Sequence, residues 1–339
     1  MSNPVLVEVF RGGVLESQHR GSVAIVDADG HLHTRVGDVA RPVFPRSAIK
    51  AIQALPLVES GAADAFGFQQ KELALVCASH SAEQQHLDLA RRMLSAAGCD
   101  ETCLECGGHW ASRQPGLLAQ ARQYDTTPPA ICNNCSGKHT GFICTAVHCG
   151  IETRGYTDAE HEVQRNVRAA LEDVTGAPHQ QWCRGTDGCS IPTYAVPLQS
   201  LALGFARMVT GVGLSAQRAR AAKRLTQACM AEPFYVAGSG RFCTDVMGAG
   251  NSTVFVKTGA EGVFCGAIPS LGLGIALKCD DGAVRGAESM MAAILSALLP
   301  ENAELQDELS GHTAVNLANC NNYAVGEIRS CIDAYLPRI

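Results

Sequence analysis

The sequence predicts an α+β fold, with an antiparallel sheet built from both ends of the chain, helices on its faces and a helical insertion between the two ends. Three observations carry this. Strand-and-turn patterns cluster at the termini, helical periodicity fills the middle, and neither regular βαβ alternation nor the Gly-x-Gly-x-x-Gly turn of a dinucleotide fold is present.

Val5-Leu6-Val7-Glu8-Val9-Phe10 alternates as a strand and Gly12-Gly13 offers a turn. Residues 22–26 form a second strand and run into Asp27-Ala28-Asp29-Gly30, whose Asp-Gly step signals a hairpin before His31-Leu32-His33-Thr34. A matching set lies near the other end. Residues 252–257 read as a strand, Thr258-Gly259-Ala260-Glu261-Gly262 as a turn and 263–268 as its return; 274–279, Asp281-Gly282 and Ala283-Val284-Arg285 form a further hairpin. Helical patterns cover 47–55, 81–97, 116–124, 136–147, 159–175, 196–209, 215–231 and 286–299. Leu73-Ala74-Leu75-Val76-Cys77 reads as a buried strand that delivers Ser79, His80 and Ser81. Ser79 or Ser81 then serves as N-cap for the next helix, with Glu83 or Gln84 completing the box. With no repeat or low-complexity linker, residues 1–339 read as a single domain, its sheet part at about 1–46 and 240–339 and its helical part at about 81–235.

Composition excludes several classes. Of 339 residues, 46% are hydrophobic and 18% charged, enough apolar material for a large core and too much for a disordered chain. The net charge of −6 and the 5% aromatic content offer no footprint for nucleic acid. The opening residues lack the apolar core of a secretory signal, and the longest apolar stretch, 290–299, is half the roughly 20 residues a membrane helix needs. The expectation is a soluble, cytoplasmic protein with no membrane or nucleic-acid partner, whose 16 cysteines are thiols or metal ligands.

Several short segments can carry chemistry. In Arg46-Ser47-Ala48-Ile49-Lys50 the lysine lies one helical turn after the serine and can reach its hydroxyl. A serine becomes a nucleophile when a base takes its proton, and a desolvated lysine can be that base. Equally, Ser47 can be a simple N-cap and Lys50 a solvated first-turn residue. Val256-Lys257-Thr258-Gly259 places a Lys-Thr-Gly on a strand; together with an upstream Ser-x-x-Lys it is the combination of serine β-lactamases and penicillin-binding proteins, although their Ser-Asp-Asn element is missing. Two Cys-x-x-Cys pairs, Cys103/Cys106 and Cys132/Cys135, are separated by 25 residues, longer than the usual zinc-ribbon spacing. Gly137-Lys138 lacks the preceding glycine of a phosphate loop, and His139 alone reads as a satisfied local histidine. Gly185-Thr186-Asp187-Gly188-Cys189-Ser190-Ile191-Pro192 is a rigid loop carrying one carboxylate and one thiol.

Taken in order, Arg46-Ser47-Ala48-Ile49-Lys50, Ala78-Ser79-His80-Ser81, Asn133-Asn134-Cys135-Ser136-Gly137-Lys138-His139, Thr186-Asp187-Gly188-Cys189-Ser190-Ile191-Pro192 and Lys257-Thr258-Gly259-Ala260-Glu261-Gly262 resemble the rhizobial-type L-asparaginases, the asparaginase II family, over about residues 7–334. The resemblance implies a fold like that of serine β-lactamases and glutaminases, a homodimer, and two Ser-Lys pairs, here Ser47 with Lys50 and Ser79 with Lys257. It also implies a zinc ion (Zn2+) beside the substrate, held by Cys135, Lys138 and Cys189, the lysine binding as a neutral amine. Cys132 and Cys183 leave that ligand set open. The expected reaction is hydrolysis of L-asparagine to L-aspartate and ammonia. Ser47 attacks after Lys50 takes its proton, and the Ser79–Lys257 pair relays a proton to the departing ammonia. Substrate contacts are expected from Asp187 to the α-ammonium and from Arg46 or His139 to the α-carboxylate, with Gly188 beside them. Another serine amidohydrolase, acting on glutamine, β-lactams or peptides, is the competing reading, and a zinc-binding or redox-sensing protein without turnover is a second.

Overall fold

The computed structural model describes residues 2–110 and 128–336. The expected helix at 116–124 lies outside them.

Among the described residues, eight strands form one antiparallel sheet. They are β1 (Val5–Arg11), β2 (Val14–Asp27), β3 (Leu32–Val36), β8 (Phe255–Thr258), β9 (Val263–Ile268), β10 (Leu273–Cys279), β11 (Ala314–Ala318) and β12 (Ala324–Ser330). The order is β11-β12-β1-β2-β10-β9-β8, with β3 also on β2. Two short ribbons stand apart, β4 (Pro42–Val43) with β7 (Val196–Pro197), and β5 (Arg184–Thr186) with β6 (Pro192–Tyr194).

The long strand β2 has two halves with different partners. Val14 to Arg20 pairs with β1, while Gly21 to Asp27 pairs with β10, whose register sets Ile25 opposite Ile275. At the changeover Gly21 runs against Lys278, where a Cβ would lie 2.6 Å from the carbonyl oxygen. The second half is buried residue after residue because both sheet faces are covered. Helix Leu198–Thr210 packs on one face, so close that a Cβ on Gly274 would fall 1.9 Å from the Ala202 carbonyl. Helix Val284–Leu298 packs against β10, β1 and β9.

Several expected elements differ. The predicted strand at 73–77 is the end of a helix, Gln70–Val76, opened by a capping box between Gln69 and Glu72. Its apolar run is buried on all sides and has no period with which to declare itself. Ala283-Val284-Arg285 does not return as a strand but opens helix Val284–Leu298. The helix expected at 81–97 is Gln84–Ala96, with Glu83 rather than Ser79 or Ser81 at the N-cap. The segment expected as one helix at 47–55 is a 3₁₀ turn, Arg46–Ile49, followed by short helices Lys50–Gln53 and Leu55–Glu59.

Candidate active site

Four segments meet at the β8 edge of the sheet. The turn Arg46–Ile49 enters through Arg46, a non-glycine residue at φ 52° in the left-handed region, held immediately before Ser47. Beneath it runs Lys257-Thr258-Gly259. A Cβ on Gly259 would lie 2.7 Å from the Pro45 carbonyl oxygen and 3.3 Å from the Ala48 nitrogen, so only glycine lets strand and turn touch. The third segment follows helix Gln70–Val76 and is pinned where Ser79 N–H donates to the Val236 carbonyl at 2.9 Å. The fourth is helix Ser136–Cys149, buried along most of its length, with Cys135 at its N-cap. Gly137 allows it to press on the Leu75 backbone: a Cβ there would lie 2.3 Å from the carbonyl oxygen.

These segments enclose a cavity of about 350 Å³, lined by Ser47 and Ser79 with His80, Ser81, His109, Asn134, Arg241 and residues 258–261. Ser79 is the hub. Lys50 Nζ donates to Ser79 Oγ at 3.0 Å and to the Ala78 carbonyl at 2.5 Å. Lys257 Nζ donates to the same Ser79 oxygen at 2.9 Å and to the Thr258 carbonyl at 2.9 Å. Both lysines are 0% exposed. Burial, reinforced by the Lys50 charge, lowers Lys257 from 10.5 to about 7, so a large share of it is a neutral amine at physiological pH.

The expected pairing of Ser47 with Lys50 is therefore rearranged: both lysines bond Ser79. Ser47 Oγ lines the cavity without a hydrogen bond among the described residues. Ser47 and Ala260 both line this cavity, and their N–H groups have no acceptor among the described residues.

Beside Lys50 lies the thiol group predicted for metal. Lys138 Nζ donates to Cys189 Sγ at 3.0 Å, and Cys189 and Cys135 share a hydrogen bond. That bond, outweighing burial and helped by the Lys50 and Lys138 charges, holds Cys135 well below the usual thiol value and pushes Cys189 up. Burial acts to lower Lys138, but the two sulfurs outweigh it and raise the ammonium above its ordinary value. Cys132 and Cys183 make contacts elsewhere: Cys183 Sγ donates to the Gln180 carbonyl, and the Cys132 thiol is pushed up, by burial first.

The residues expected to hold substrate are placed differently. Arg46 Nε donates to Asp187 Oδ1 at 2.5 Å, so the two charges offered to the substrate bind each other. Gly188 sits against the Arg46 guanidinium and does not line the cavity. His139 is fully buried, its Nδ1 bonded to the Tyr156 hydroxyl at 2.7 Å, and burial lowers it well below the usual histidine value. Sequence reasoning missed His109, Arg241 and Glu261, which carry no motif signal of their own apart from Glu261's place after Lys-Thr-Gly.

One other cluster among the described residues has metal-ligand chemistry, His19, Cys279 and Asp281. It is closed on itself: His19 Nδ1 meets Asp281 at 2.6 Å, Cys279 Sγ donates to Asp281 at 3.0 Å, and Arg285 Nε donates to His19 Nε2 at 3.0 Å. That network latches the β2–β10 changeover.

A sequence model of the L-asparaginase II family matches residues 7–330. The chain belongs to this family. Membership makes it a hydrolase of the amidohydrolase class. Solved structures with a related course include a β-lactamase from Mycobacterium bovis (15% identity, 83% of this chain and 94% of that one, TM-score 0.41). Others are the D-alanine carboxypeptidase AmpC from Burkholderia cenocepacia (12%, 80% and 93%, 0.38) and simvastatin synthase LovD from Aspergillus terreus (12%, 85% and 91%, 0.40). The fold rests on the strand order given above and not on these likenesses. No curated protein sequence is significantly similar. Among the described residues no helix is long and apolar enough to cross a membrane.

Proposed function

We propose that the protein hydrolyses L-asparagine to L-aspartate and ammonia by acyl transfer to a serine. The observation that carries this reading is the convergence of two buried lysines on Ser79 Oγ in a cavity that also presents Ser47.

Ser47 is the attacking hydroxyl, open to the cavity at the start of its turn, and its proton goes by way of the Ser79 hydroxyl to the neutral amine of Lys257, with Lys50 as the second partner of that hydroxyl. Ser79 Oγ accepts an N–H from each lysine, which leaves its own O–H to be given up as it receives the Ser47 proton, and the proton held on Lys257 returns by the same route to the leaving ammonia. Lys257, near its midpoint at neutral pH, can hold or release that proton at little cost. The free Ser47 and Ala260 N–H groups stabilise the oxyanion, a contribution worth about 3–4 kcal/mol per donor in hydrolases of this kind. Water then repeats the sequence on the acyl-enzyme.

The donor set of Cys135, Cys189 and Lys138 fits zinc. Two buried sulfurs and an amine converge, the Cys135 thiol is held below its usual value, and a bound metal would displace the protons that Cys189 and Lys138 hold. When bound, zinc supplies positive charge and orientation beside the reacting amide.

The test is ammonia release from L-asparagine by the wild type, Ser47→Ala and Ser79→Ala, with D-asparagine, L-glutamine and a penicillin alongside. Turnover of L-asparagine lost in Ser47→Ala supports the reading; a folded, zinc-loaded wild type inert to L-asparagine but active on another amide replaces it. A second reading makes Ser79 the nucleophile, since it and not Ser47 bonds both lysines. Mass spectrometry of the trapped acyl-enzyme assigns the serine. A homodimer is part of the same proposal, checked by sedimentation.

A further inference from the structure

An α-amino acid arrives with one positive and one negative group, and a selective site must meet both. The pair expected to do so, Arg46 and Asp187, is closed by its own 2.5 Å ion pair, and neither residue lines the cavity. Among the described residues that do line it, one carboxylate and one guanidinium occur: Glu261 and Arg241.

Both are placed by the fold. Glu261 is held at φ 57°, a left-handed conformation that an ordinary residue adopts only under constraint, two residues past Gly259. Its backbone carbonyl accepts from Lys278 Nζ at 2.7 Å, and its carboxylate lies against Gly282, where a Cβ would come within 2.9 Å of Oε2. Arg241 stands at the N-cap of helix Phe242–Gly250, its Nη1 3.4 Å from Ser81 Oγ, and its charge reaches Lys257. Ser47 and Ser79 line the same cavity.

Resting on the L-asparagine reading above, we propose that Arg241 receives the substrate's α-carboxylate and Glu261 its α-ammonium, and that this pair makes the site selective for an α-amino acid amide. The two residues take no part in bond making; they set which amide reaches Ser47. A guanidinium fork suits a carboxylate, and an amino-acid zwitterion needs an anion in the same site as well.

The experiment compares KM for L-asparagine, succinamate (the same amide without the ammonium) and 3-aminopropanamide (the same amide without the α-carboxylate) in the wild type, Glu261→Gln and Arg241→Gln. Inhibition constants against L-asparagine replace KM where an analogue turns over slowly. Glu261→Gln is expected to weaken L-asparagine at least tenfold and leave succinamate within about twofold. Arg241→Gln is expected to weaken L-asparagine and succinamate alike and spare 3-aminopropanamide. Equal losses across L-asparagine and both analogues overturn the assignment, as does unchanged KM. A wild type without L-asparagine turnover overturns the underlying reading instead.

Discussion

Lys257 is a test of whether catalytic poise in this site is held against stability. In the unfolded chain its pKa is 10.5; in the fold it is lowered to about 7. At pH 6 the group is protonated in both states, and keeping a cation in that buried place costs about 5 kcal/mol at 1.36 kcal/mol per pH unit. Because the folded value is the lower one, the unfolded chain binds more protons between pH 7 and 10.5, and stability rises with pH across that window. Lys257→Met removes the buried charge but also the hydrogen bonds to Ser79 Oγ and the Thr258 carbonyl, roughly 1 kcal/mol each. The variant should therefore be more stable than wild type by about 3 kcal/mol at pH 6. By pH 9.5 the advantage should have vanished or reversed, since only about 1.4 kcal/mol of the charge cost remains there. Turnover should fall by roughly 10² to 10⁴, the usual weight of a proton-transfer group. Urea unfolding of both proteins at the two pH values, beside an ammonia assay, reads all of this. A stability difference that is the same at pH 6 and pH 9.5 refutes the argument, because only a titrating buried amine makes it depend on pH.

In wild type, kcat/KM should fall below about pH 7, as protonation of Lys257 removes the acceptor; a profile flat from pH 5.5 to 8 counts against its role. Gly259→Ala sets a methyl 2.7 Å from the Pro45 carbonyl and pushes β8 off the Ser47 turn, so turnover should drop at least tenfold; thermal melting and kinetics measured together check that the fold survives. Arg46→Ala takes the guanidinium from Asp187, which keeps the Cys189 thiol and the Lys138 charge, and should destabilise by about 2 kcal/mol in unfolding measurements.

The sheet was readable at its centre because 22–26, 263–268 and 274–279 are apolar runs bounded by turns, and the Asp-Gly step marks the hairpin into β3. The outer strands β11 and β12 carry no such signal: they are half exposed, include Asn316 and Glu327, and owe their form to pairing, β12 with β1 and β11 with β12. The helix at 70–76 had one legible signal, the Gln69/Glu72 box, which its uninterrupted apolar run obscured. Within the site, the motifs identified Ser47, Lys50, Ser79 and Lys257 as residue types in sequence, but spacing along the chain could not show that Lys50 bonds a serine 29 residues away. Arg241 and Glu261 carry no local pattern that separates them from surface charges. Their meaning is tertiary.

The three buried lysines show how neighbours divide one residue type into different tasks. Lys138 sits between two sulfurs and is raised; Lys257 is lowered by burial first and by the Lys50 charge after it. Lys50 lies between the two groups, bonding Ser79 on one side and lowering the Cys135 thiol on the other. The thiol site and the proton relay therefore share a field, and the field has a sign that can be tested. Removing the Lys50 cation by Lys50→Met should raise the Lys257 pKa, since after burial that charge is the largest cause of its depression. Removing the acidic thiol by Cys135→Ser should lower it further, because Cys135 acts in the raising direction. Titration of isotopically labelled Lys257 by NMR in metal-free protein reads both. Shifts of the same sign in the two variants would mean that a conformational change, and not the electrostatics of the buried lysines, sets the protonation state on which the proposed relay depends.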